Sequence, residues 1–152
     1  NTMQSIHLNS GHRQWFLLGL RLFLGGAFLW AGWVKIVDPQ GFAAIIGNYH
    51  LLPAVLVNPF AILLPWIEVL CGILLIVGAW VDGSLLIVNT LVVVFIAALL
   101  STWVRGIDVD CGCFSVATTR RRTDYLTDII RDVAFLGTGL WLALHRRRTG
   151  RR

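Results

Sequence analysis

The chain has 152 residues, 57% hydrophobic and 14% charged, with a mean hydropathy of +0.73. That excludes an ordinary water-soluble domain of this length, which could not bury so much apolar surface. The net charge of +5 sits mostly in arginine clusters flanking apolar stretches, without a pattern of basic and aromatic side chains along a groove. It therefore points to membrane topology and lipid head groups and away from nucleic acid.

Four segments, 15–37, 59–80, 84–103 and 126–144, approach or exceed the roughly 20 helical residues that cross a hydrocarbon core of about 30 Å. Backbone polar groups must be paired in lipid, so each is expected to be a helix. The expected fold is all-α: an integral membrane four-helix bundle forming a single membrane domain over 1–152. The tail 145–152 carries five arginines and is assigned to the cytoplasmic side. Four spans then place both termini in the cytoplasm and the loops 38–58 and 104–125 outside, where disulfides persist. Arg120, Arg121 and Arg122 in the second loop count against this orientation.

In chain order, 1–14 is polar and expected to be loosely held. The apolar stretch after it is too long for a secretory signal and reads as a signal anchor. Span one contains Arg21 and Lys35, fourteen residues apart and so about 40° apart around the helix. The same half carries Gly25, Gly26, Ala27, Ala31 and Gly32, small residues that admit a neighbouring helix closely. Lys35 reads either as a buried group or as one snorkelling to the interface. Asp38-Pro-Gln-Gly41 ends this helix. Phe42, Ile45, Ile46 and Tyr49 then recur at helical spacing, predicting a short interfacial helix between spans one and two. It either caps the bundle or shields the loop beyond span three and a ligand entering from the lipid.

Span two holds Pro65, Trp66, Glu68 and Cys71. Pro65 has no N–H for the Ala61 carbonyl, predicting a bend or loosening. Glu68, about 13 Å below the outer boundary, must face the bundle interior, where a carboxylate needs a partner or a proton. Lys35 from above and Arg21 from below are both within reach. Glu68 is then either half of a structural ion pair or a proton-handling group beside the carbonyl of a bound quinone. For such a quinone, Glu68, Trp66 and Arg21 are the candidate binding residues. Cys71 reads as a packing residue. The run 80–83 (WVDG) is a predicted turn, and the span after it, free of charge, is the one best suited to face lipid. In the last span Asp124 is a candidate N-cap, and Asp128, Arg131 and Asp132 share one face.

Between spans three and four lies DVDCGCF, residues 108–114. Gly112 permits the bend that a disulfide between Cys111 and Cys113 requires. So small a ring is expected to be strained, and strained disulfides exchange readily. The pair reads as a thiol-disulfide exchange site, with a local structural bridge or two free thiols as alternatives. A metal site is disfavoured, because no standard zinc spacing is present.

Lys35-Ile-Val-Asp-Pro39, Phe42-Ala43, Asn48-Tyr49, Leu51-Leu-Pro53, Leu64-Pro-Trp-Ile-Glu68 and Asp110-Cys-Gly-Cys-Phe114 together resemble the DoxX-like integral membrane proteins, in particular the MauE branch, over residues 20–145. The resemblance implies a redox-associated four-helix protein of the bacterial inner membrane. In it Cys111 and Cys113 match a redox pair, and Lys35, Asp38 and Glu68 match polar positions near the same end; Cys111, Cys113, Glu68 and Lys35 are the expected catalytic residues, with Glu68 or Lys35 handling the proton or orienting the acceptor. MauE-type proteins are linked to maturation of disulfides in the methylamine dehydrogenase light chain, and DoxX-type relatives to quinone-coupled sulfur oxidation. The implied partners are a periplasmic thiol or thioredoxin-like protein, lipid, and possible subunits of a larger membrane complex. The four-helix plan is also similar to that of vitamin K epoxide reductase, but no Cys-x-x-Cys lies within a helix here, so a two-stage thiol relay is not expected. The alternative function is a non-catalytic accessory or anchor subunit whose cysteine pair is a structural disulfide.

Overall fold

The computed structural model describes residues 2–106 and 124–149, with side chains described for 14–106 and 127–146. These residues form five helices: α1 (Thr2–Val37), α2 (Pro39–Asn48), α3 (Ala54–Val77), α4 (Val81–Arg105) and α5 (Asp124–Thr149). Three stretches, Gln14–Val37, Ala54–Val77 and Val81–Arg105, are long and apolar enough to cross a membrane. Helix α5, with 26 residues, is the fourth member of the bundle. Its outward residues Ile130, Val133, Leu140 and Leu144 are exposed and apolar, as a lipid-facing surface requires.

The long helices form an antiparallel ring in which α1 and α4 each touch both α3 and α5. Small residues set the tightest of these contacts. A Cβ added at Gly25 would lie 2.9 Å from the Gly72 carbonyl oxygen, and one at Gly32 would lie 2.8 Å from that of Pro65. The backbones of α1 and α3 therefore touch along the small-residue face. Helix α2 lies across the end of the ring where α1 terminates. Asp38 accepts a hydrogen bond from the Gly41 N–H at 2.9 Å and caps α2, and Phe42, Ile45 and Tyr49 turn inward.

Four boundaries or orientations differ from the sequence reading. Helix α1 runs back to Thr2, although its apolar span starts at Gln14. Helix α3 begins at Ala54 and stays helical through Pro59 and Pro65. The turn after it falls at Gly78, whose left-handed φ of +87° closes α3 with an N–H bond to the Leu74 carbonyl, so Val81 to Gly83 already belong to α4. Lastly, α4 is not a mainly lipid-facing helix. It buries Val81, Ser84, Leu85, Val88, Asn89, Val92, Leu99 and Thr102 along one stripe, and the Asn89 amide fills the space beside Gly139 of α5.

Candidate functional site: a buried ion pair at the α2 end

Lys35 lies in the last turn of α1, and Glu68 lies in α3 where the two helices are held closest. The Lys35 ammonium donates to both carboxylate oxygens of Glu68, at 2.6 and 2.7 Å. The side chains are 0% and 1% exposed, which decides between burial and snorkelling: Lys35 is buried. Two rings enclose the ammonium, Phe42 of α2 at 5.1 Å and Phe95 of α4 at 4.8 Å from their centroids. Such cation–π contacts are worth about 2 kcal/mol each when desolvated. Lys35 is also the one lysine in the sequence, and Glu68 the one glutamate.

The choice left open between Lys35 and Arg21 is thereby made. Arg21 lies at the other end of α3, where a Cβ on Gly78 would come within 3.0 Å of its guanidinium. Gly78 is ten residues from Glu68, about 15 Å along the axis. The C-terminus of a helix favours a cation, so Arg21 serves the end of α3. Trp66 is 58% exposed and lies roughly 160° from Glu68 around the helix. Neither Arg21 nor Trp66 is brought to the carboxylate.

On α5, Arg131 bonds Asp128 Oδ1 at 2.9 Å and Asp132 Oδ1 at 3.0 and 3.1 Å. Both aspartates are buried, and Asp132 reaches the bundle interior, where it lines a small cavity with Lys35 and Glu68. The sequence placed Asp132 in the same outer half of the bundle as Lys35 and Glu68, and the cavity brings the three together. It gave no sign of Phe95, which lies in an unbroken apolar run. Among the described residues, no three His, Cys, Asp or Glu side chains are grouped as metal ligands.

Cys71 is a free thiol, 1% exposed and packed with Leu24, Phe28 and Leu75 in the core. It should resist a polar maleimide in intact membranes and react only after denaturation, as mass spectrometry of labelled peptides would report. Cys111 and Cys113 lie outside the described residues. The flanking elements are nonetheless placed: α4 ends at Arg105, whose guanidinium bonds the Tyr49 carbonyl at 2.9 Å, and α5 starts at Asp124. Both ends of the intervening segment are therefore at the α2 end, the end that contains the Lys35–Glu68 pair.

A second, larger cavity of about 210 Å³ opens beneath α2, lined by Phe42, Tyr49, Phe60, Leu64, Val94 and Phe95 among others. Its wall is almost wholly apolar. Such a wall offers no hydrogen bonds to a polar group.

A family model for methylamine utilisation protein MauE matches residues 13–145. The chain belongs to the MauE family. Its MauE relatives include the methylamine utilization protein MauE of Methylophilus methylotrophus, 34% identical over 110 residues covering 72% of this chain and 57% of that protein. The MauE proteins of Paracoccus denitrificans and Methylorubrum extorquens are 31% identical over 99 residues and 28% identical over 110, covering 64% and 71% of this chain and 53% and 59% of those proteins. The match thus spans little more than half the length of these relatives. No solved structure matches the chain. Family membership and the apolar helices make this a multi-pass membrane protein of the MauE family.

Proposed function

We propose that this MauE-family protein serves methylamine utilisation by exchanging a disulfide between Cys111–Cys113 and a partner on the outer side of the cytoplasmic membrane. The supporting observation is the buried Lys35–Glu68 pair at the same end of the bundle as the two ends of the cysteine-bearing segment. An ion pair with 0% and 1% exposed side chains gives weak net stability, because desolvation offsets its attraction. A proton-handling role near a redox centre accounts for its presence better than stabilisation does.

In the exchange, a thiolate of the partner attacks one sulfur of the Cys111–Cys113 disulfide and the other sulfur leaves as a thiolate. The partner's second thiolate then resolves the mixed disulfide, leaving the partner oxidised and the cysteine pair reduced. The pair returns to the disulfide by giving two electrons and two protons to a lipid-soluble quinone, which becomes the quinol. Lys35 and Glu68 orient the acceptor or move its protons, and the apolar cavity beneath α2 suits the acceptor's hydrocarbon part. In this orientation the 145–152 tail is cytoplasmic.

Cys111→Ser and Cys113→Ser variants test the reading. Each should leave the protein in the membrane and abolish disulfide formation in the partner, whose free thiols then take up thiol-reactive mass tags. If the partner's disulfides form normally and only complex assembly suffers, the exchange reading is wrong and the accessory-subunit reading replaces it.

A further inference from the structure

The small cavity between α1, α3, α4 and α5 has a volume of about 20 Å³ and is lined by Ala27, Lys35, Glu68, Val92, Phe95 and Asp132 among others. One water molecule requires roughly 10–15 Å³ measured this way and two to four polar partners. The volume suffices for one water, and Lys35, Glu68 and Asp132 in the lining are the polar side chains that could hold it. Lys35 spends two N–H bonds on Glu68, leaving the third for another acceptor, and an aromatic ring face is a weak one. Asp132, on the α5 wall of the same cavity, is a carboxylate. Besides it, the charged side chains lining the cavity are Lys35 from α1 and Glu68 from α3, with Asp128 and Arg131 of α5 bonded in the same cluster; Asp38 and Arg105 are at this end but do not line it, and α4 faces the cavity only with Val92 and Phe95.

We propose that this cavity is a binding site for one ordered water, held between Lys35 Nζ and the Asp132 carboxylate, through which Asp132 and Glu68 exchange a proton. The transfer balances without any other reactant. Lys35 passes one proton to a Glu68 oxygen and takes one back from the water, and the water takes one from protonated Asp132. The net change converts the Asp132 carboxyl to carboxylate and the Glu68 carboxylate to carboxyl. The water site stands by itself. Only its use, carrying protons between the α5 cluster and a redox reaction at the cysteine pair, rests on the exchange reading.

The single lysine makes the test specific, because protein isotope-labelled at lysine Nζ gives one side-chain ammonium signal in magnetic resonance. In lipid nanodiscs the wild-type signal should show a cross-peak to bound water and measurable hydrogen–deuterium exchange. Ala27→Val fills the cavity without removing a charged group, and Asp132→Leu removes the acceptor. Each should erase the water cross-peak and slow Nζ exchange by about tenfold, the effect of losing one charge-assisted hydrogen bond. The retained contact between Lys35 and Glu68 reports that each variant is folded. Absence of the cross-peak in the wild type overturns the water site, and exchange unchanged in both variants overturns the proton route. Because this readout does not involve the thiols, a failed Cys111→Ser experiment leaves it intact, and the reverse also holds.

Discussion

Glu68→Leu is expected to destabilise the protein by about 3–5 kcal/mol, while the double variant Lys35→Met/Glu68→Leu recovers most of that loss. The asymmetry follows from burial. With Glu68 gone, an ammonium 0% exposed keeps its two aromatic neighbours, at 5.1 and 4.8 Å, but loses the one anion that bonds it directly. Asp132 shares the cavity and eases the penalty only partly, because it also bonds Arg131. Removing both charges leaves an apolar contact of similar volume, which commonly matches or exceeds an ion pair in stability. Thermal unfolding in one detergent compares the three proteins. If the double variant is as stable as the wild type but does not support oxidation of the partner, the pair acts in the chemistry. Retained activity in the double variant would reduce Lys35 and Glu68 to packing.

The sequence located this pair but not its pairing. On isolated helices Arg21 and Lys35 lie at similar distances in depth from Glu68, and hydropathy carries no information about the register between α1 and α3. Register is set by contact between backbones at Gly25, Gly32 and Gly72. The small residues announced a close helix neighbour, not which residues of that neighbour would meet them. Helix α2 was legible because an interfacial helix alternates between two solvents, and Phe42, Ile45 and Tyr49 keep the helical period. The inward stripe of α4 was not. In a membrane both faces of a helix are apolar, so the buried Val88 and Val92 look the same as the exposed Ile87 and Val93. Asn89 was the available signal, since a polar amide within an apolar span turns inward. The expected turn at 80–83 followed the Asp-Gly sequence, whereas the left-handed residue that ends α3 is Gly78.

Gly25→Ala and Gly26→Ala, one residue apart, are expected to change stability in opposite directions. At Gly25 the new Cβ would lie 2.9 Å from the Gly72 carbonyl oxygen and 3.2 Å from Leu75 Cβ. The first of these is backbone and cannot swing aside, so α1 and α3 must separate, at a cost of about 1–3 kcal/mol. At Gly26 nothing lies within 4 Å, and the only change is the gain in helix propensity, about 0.5–1 kcal/mol in favour of alanine. The Gly25 substitution also reaches the site. Lys35 lies about 15 Å further along α1, and a small separation or tilt at the crossing is carried to its ammonium, whose bonds to Glu68 are 2.6 and 2.7 Å long. Unfolding temperatures and the Lys35 Nζ signal should therefore move together in Gly25→Ala and only the temperature in Gly26→Ala. A Gly25→Ala protein as stable as the wild type with an unchanged Nζ signal would show that the helices re-seat without cost, and that the glycine contact does not set the register of the ion pair.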